Sequence, residues 1–152
     1  MATARAVLAW YEHVAVLPIA ECVRDRENAL AAVIALDQFP RNMFRGTPRA
    51  FTTDAKAGEI ADCVIASGFD AASSKDQRTF LYLPYQHAED AAAQVWSVEL
   101  VASLEDAELT RWAVAHMDII DRFGRFPHRN VILGRTSTPE EIAFLAQPGS
   151  SF

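Results

Sequence analysis

The run ALAAVIAL, residues 29–36, is apolar on every side of any helix it forms, and a helix without a polar face has to lie at the centre of a packed array. Pro40 disfavours helical geometry at the residue before it, so this helix is predicted to stop between Asp37 and Phe39. Residues 3–16 and about 20–38 read as two helices divided by Pro18. The punctuation stays helical from there on. A helix over about 54–67 meets Gly68 as its left-handed stop. Ser74 and Gln77 form a capping box for a short helix that Pro84 interrupts. About 86–103 forms the next helix, with Glu89 and Asp90 in its first turn, and Ser103 caps another over 104–123. On that helix Trp112, His116, Ile119, Ile120 and Phe123 share one face, and Gly124 ends it. Thr138, Pro139 and Glu141 mark the start of a last helix running to about Ala146.

No segment alternates as a strand between hairpin turns. The expected class is therefore all-α, with short connections favouring antiparallel helical hairpins stacked as a bundle or short solenoid. There is no regular 34-residue period, so kinship to helical repeats would lie in packing rather than in a repeat consensus. At 152 residues the chain fits one domain, 1–152, burying roughly 68–70% of its unfolded surface. The last six residues, QPGSSF, read as a frayed tail.

Glu12 and His13 interrupt the apolar opening before it reaches the length of an export signal or a membrane span. Cys22 and Cys63 are too few for a disulfide framework and read as packing thiols of a reduced, cytoplasmic protein. The net charge of -6 argues against nucleic acid, which needs a broad basic face.

Positive charge is nevertheless concentrated in two places. DQFPRN at 37–42 and RFPHRN at 125–130 share Phe-Pro and Arg-Asn, and each follows a long helix. Residues 37–49 carry Asp37 against Arg41, Arg45 and Arg49; residues 122–135 carry Arg122, Arg125, Arg129 and Arg135 with no carboxylate. The chain uses twelve arginines and two lysines, a preference suited to planar, bidentate contacts with carboxylate or phosphate. Phe39 and Phe126 are expected to plug the core, and Asn42 and Asn130 suit turns. A structural role is the favoured reading. Arginines at helix C-termini donate to unpaired carbonyls, Asp37 needs a cation nearby, and Asp118 with Arg122 and Asp121 with Arg125 stand at ion-pair spacing. The second reading is a site for an anionic small molecule or a protein carboxylate, built from Asp37, Arg41, Asn42, Arg45, Arg125, His128, Arg129, Asn130 and Arg135. The two separate on geometry. Guanidinium groups spent on carbonyls and neighbouring carboxylates leave nothing for a ligand, whereas three or more converging on a cleft beside His87 would hold one.

His87 and Glu89, expected at a helix start, are weak candidates for acid/base work; caps or partners for the arginines are the favoured role. His116 on an apolar face reads as a core histidine, and His128, between Pro127 and Arg129, as the more exposed one. No metal or cofactor is expected, since HExxH, paired CxxC, GxGxxG, the P-loop and GxSxG are all missing.

Three longer motifs carry a resemblance: LDQFPRNMFRGTPRAF, FLYLPYQHAED and RFGRFPHRNVILGRTSTPEE. Over about residues 28–146 the chain resembles the bacterial family called domain of unknown function 924. The matching positions are Asp37, Gln38, Arg41, Asn42, Arg45, Pro84, His87, Glu89, Phe123, Gly124, Arg125, Phe126, Pro127, Arg129, Asn130 and Arg135. The resemblance implies an all-α array of helical hairpins near the tetratricopeptide-like superfamily and brings no biochemical activity with it. Residues 1–27 match the family's longer, aromatic-rich opening poorly, which implies a divergent or shortened front. The ALAAVIAL helix would then be under-covered, and a second copy forming a homo-dimer would cover it. Three functions follow as expectations: a helical binding or scaffold protein with an internal arginine cluster, an anion-binding protein, or an enzyme using His87 or Glu89 beside Arg41, Arg125 and Arg129. The first is preferred to the enzyme, because no catalytic motif of specific spacing is present.

Overall fold

A computed structural model describes residues 2–151, with side chains from residue 4 onward. Among these residues the fold is all-α, without a strand. Met1 and Phe152, the outermost residues of the expected front segment and tail, lie outside the described residues.

Helix α1 (Ala2–Val16) leads through Pro18 into the single turn α2 (Ile19–Cys22), and α3 (Arg26–Val33) begins at Asp25, whose side chain accepts from the Asn28 amide. Lys56 joins the front to the middle of the chain. Its ammonium donates to the carbonyls of Val14, Ala15 and Leu17, which occupy the otherwise unpaired end of α1.

The predicted stop before Pro40 is replaced by a change of helical type. Ile34–Gln38 forms a π turn, in which the Phe39 amide reaches back to the Ile34 carbonyl, and α4 (Phe39–Met43) continues with Pro40 in its first turn. In a regular helix the Pro40 amide would serve the Leu36 carbonyl. Here the buried Thr53 hydroxyl donates to that oxygen instead, at 2.6 Å.

A 3-10 turn at Pro48–Phe51 precedes α5 (Asp54–Ser67), and Gly68 closes α5 in the left-handed conformation at φ +71°, as expected. Helix α6 (Lys75–His87) starts at the predicted Ser74/Gln77 capping box but runs through Pro84 instead of breaking there. His87 is thus the last residue of α6 rather than the first of the next helix. Asp90 caps α7 (Ala91–Ala102), and Glu89 stands in the short connection before the cap. Asp106, not Ser103, caps α8 (Ala107–Phe123); the Ser103 hydroxyl donates to the Leu100 carbonyl at the end of α7. A 3-10 turn at Pro127–Arg129 and α9 (Pro139–Leu145), begun by the predicted Thr138/Glu141 box, complete the order.

The main core gathers Tyr11, Val14, Ala32, Val33, Leu36, Ile60, Val64, Leu81 and Tyr82 from α1, α3, the π turn, α5 and α6. Within the ALAAVIAL segment Ala29, Ala32, Val33, Ala35 and Leu36 are all buried inside the chain, and Leu30, Ala31 and Ile34 are half-buried. A smaller cluster of Ile119, Ile120 and Phe126, with Phe123 and Phe144 against it, holds the 122–146 region onto α8. Trp112 shares the predicted face of α8 but is 42% exposed. Ser150, in the segment expected to fray, is buried, and its hydroxyl donates to the Leu145 carbonyl. Among the described residues no helix is long and apolar enough to cross a membrane.

Candidate functional site

The π turn places Asp37 inward, only 1% exposed. A lone carboxylate so deep would be costly, and three neighbours satisfy it. Nδ1 of His87 donates to both carboxylate oxygens, at 2.8 and 3.0 Å, the Gln38 amide donates at 2.6 Å, and an Arg41 guanidinium nitrogen lies at 3.2 Å. Burial acts against the charged form, but His87 and Arg41 outweigh it and hold the Asp37 carboxyl below its ordinary range.

Arg41 in turn grips Asp54 with two parallel bonds of 2.8 Å and donates to the Asp37 carbonyl. On the far side of Asp54 stands Arg129 of the second box, 3.8 Å away and 94% buried. The two matching boxes therefore meet through one shared carboxylate at the start of α5. One Arg129 nitrogen donates to the His87 carbonyl at 3.0 Å, the helix-end contact expected of these arginines. The guanidinium is held between the rings of Phe51 and Phe126, 4.6 and 4.5 Å from their centroids. Burial, then the charge of Arg41, lowers its pKa to about 10, so it stays cationic at neutral pH. Its Nε is buried and has no hydrogen-bond partner.

The rest of the second box is internal scaffolding. Glu89 accepts a two-bond grip from Arg135 at 2.6 and 2.9 Å and a third bond from the Phe126 amide. Burial opposes its charge, but Arg135 and that amide prevail and lower its pKa. Arg135 also donates to Asn130 and to the Phe126 carbonyl. Asn130, fully buried, donates to Ser137 and Glu141. Arg125 pairs with Glu141 at 2.7 and 2.9 Å and donates to the Thr136 carbonyl, while Arg122 pairs with Glu140. The predicted pairs with Asp118 and Asp121 give way because the loop folds α9 back over the end of α8, bringing Glu140 and Glu141 closer. Arg125 leads the groups that drop the Glu141 pKa to about 2.

His116 is buried as predicted, its Nδ1 donating to the Trp112 carbonyl, and burial pushes its pKa down to about 4. His128 is more exposed than His116, as expected, but still half-buried against Phe126, and burial, with Arg129 next to it, takes its pKa to about 4 as well. Cys22 is buried and Cys63 half-buried, both free thiols.

Two clefts share a wall made of Phe51, His87 and Arg129. The smaller, of about 510 Å³, is lined by Arg41, Asn42, Arg45, His116, His128 and this wall. The larger, of about 780 Å³, has an apolar floor that includes Ala55, Gly58, Ala92 and Trp96, with carboxylates such as Glu59 and Asp62 at its edge. Three guanidinium groups thus line one cleft beside His87. Arg41 is spent on Asp54 and Asp37; Arg45 is exposed and enters no ion pair among the described residues; Arg129 keeps Nε in reserve. The ring of His87 gives Nδ1 to Asp37, and its Nε2 has no hydrogen-bond partner among the described residues. No three His, Cys, Asp or Glu side chains among the described residues are gathered to hold a metal.

Fold and site together define an all-α protein whose two arginine-bearing helix exits converge on a buried aspartate and histidine. The chain belongs to the family described as bacterial protein of unknown function, DUF924, whose model matches residues 3–149 and so takes in the opening as well as the three motifs. It is similar to the solved structure of a protein of unknown function, ATU0120, from Agrobacterium tumefaciens, at 44% identity and a TM-score of 0.77, covering 95% of this chain and 75% of that one. No curated protein matches it.

Proposed function

We propose that the protein binds a small anionic molecule, carrying a phosphate or carboxylate, in the cleft between the two arginine boxes. The observation that carries this reading is Arg129, a buried guanidinium that lines the cleft, is fixed between two aromatic rings and has its Nε unpaired. A buried donor without a partner is costly, and an anion in the cleft would relieve that cost. Arg45 adds a second cation at the same cleft. A cleft of about 510 Å³ on an acidic chain suits a small molecule rather than nucleic acid. Arg41, Arg125, Arg135 and Asn130 are the internal part of the cluster: their donors hold the two exits together and shape the wall.

Binding to the folded state raises stability with ligand concentration. Phosphate, sulfate and small carboxylates, titrated at constant ionic strength against chloride, are expected to raise the melting temperature. Arg45→Ala is expected to weaken the response and Arg129→Lys to abolish it. A flat response to every anion at tens of millimolar would leave only the scaffold role.

A further inference from the structure

We infer that the cleft is a hydrolytic site for phosphate monoesters, with the Asp37–His87 pair as its acid/base; this rests on the anion-binding reading above. Three features of the same wall point there. A carboxylate that is 1% exposed accepts the Nδ1–H of His87, which fixes the tautomer and leaves Nε2, the other ring nitrogen, as a proton acceptor at the cleft. The ring is held on both sides of the chain as well as through Nδ1. Asp37 sits in the covered π turn, and the backbone carbonyl of His87 is bound by Arg129, so the imidazole and the guanidinium keep a fixed relation. Arg45 carries a charge that no carboxylate answers among the described residues, and Arg129, whose charge is shared with Asp54, keeps an unpaired Nε, so the two together suit the oxygens of a phosphate monoester.

Among the described residues no hydroxyl or thiol lies within hydrogen-bond distance of the His87 ring, so water entering the cleft is the nucleophile it can reach. His87 Nε2 takes a proton from that water as the water oxygen bonds to phosphorus. The bond from phosphorus to the ester oxygen breaks, with its electron pair going to that oxygen. The departing oxygen, on the opposite side of phosphorus, takes a proton from water in the cleft and the proton on Nε2 returns to solvent, so one ester and one water give one alcohol and one inorganic phosphate, and the imidazole is restored. Arg129 and Arg45 hold the phosphoryl oxygens as charge shifts among them. Asp37 touches no substrate and is a positioning residue.

The test is phosphate release, by colorimetric assay, from a panel of aryl, sugar and nucleoside monophosphates, together with thermal shift by inorganic phosphate. Wild type is expected to release phosphate from at least one member. His87→Gln, whose amide can still bond to Asp37, is expected to lose at least a hundredfold in kcat while keeping the thermal shift. Arg122→Ala, a surface pair remote from the cleft, should leave the rate unchanged. Asp37→Asn should lower kcat more than it raises KM and displace the acid limb of the pH profile; circular dichroism checks that it folds. Phosphate stabilisation without release from any ester, or release that survives in His87→Gln, overturns the hydrolytic site and leaves the binding reading standing. Absence of any phosphate stabilisation overturns both.

Discussion

At the scale of single residues, the buried imidazoles set how the protein responds to acid. His116 and His128 have their pKa values lowered from 6.5 to about 4, so each is neutral in the folded protein and must be desolvated as a cation if it is to charge there. The unfolded chain binds those protons more readily. Their contribution to stability is therefore fully present above pH 6.5 and is lost as pH falls towards 4, amounting to on the order of 3 kcal/mol for a fully realised shift of this size. Melting temperatures followed from pH 7 to pH 4 should fall steeply, and His116→Gln should flatten that fall even if it lowers stability at pH 7. A parallel slope in the variant would show that His116 is not the titrating group. Helical spacing along 112–123 was enough to place His116 in the core. That His128 is more exposed than His116 was legible from its neighbours Pro127 and Arg129, whereas its partial burial against Phe126 was not, because it depends on how that loop packs.

At the scale of the element, Pro40 shows how a helix passes a residue that should end it. The lost amide leaves the Leu36 carbonyl without its usual donor, and Thr53, 17 residues later, supplies a hydroxyl in its place. Thr53→Val keeps the side chain's shape and removes the donor, leaving a buried acceptor unserved. It should cost about 1–3 kcal/mol in denaturant unfolding, and a loss below a few tenths would mean that the carbonyl is satisfied in another way. The capping boxes at Ser74 and Thr138 and the stops at Gly68 and Gly124 were legible because they are local: the residues that make them lie within one turn of each other. The passage through Pro40 was not, because it depends on Thr53, a partner distant in sequence. Asp106 displaced Ser103 as the cap of α8 through a further turn of chain in which Glu105 takes φ +55°, a conformation the residue type does not advertise.

At the scale of the whole molecule, the arginine boxes work as two ends of one frame. Asp54 joins Arg41 to Arg129, and Glu89 joins Arg135 to the α6–α7 connection, so residues 37–54, 87–90 and 122–141 are held by charge across large separations in sequence. A double-mutant cycle on Glu89→Ala and Arg135→Ala should give a coupling of about 0.5–3 kcal/mol, reduced from the value of a fully buried pair because both side chains are 23% exposed. Additive losses would show that the pair is incidental. The charge bookkeeping of the sequence exposed both boxes and their likeness, but which carboxylates answer them was decided by the fold: Asp54 and Glu141 carry no signal until α5 and α9 are in place. The π turn has a last consequence for this frame. It amounts to one residue more than a regular helix would need between Val33 and Phe39, and each residue of a helix turns the chain by about 100°. Deleting Ile34 would let the segment relax into ordinary helix, leaving Phe39 and Arg41 in phase but withdrawing the wide turn that directs Asp37 onto His87. Protein chemistry at this cleft is thus tied to a count of residues in one helix, and shortening the chain by a single position would dismantle the site while leaving each of its side chains in the sequence.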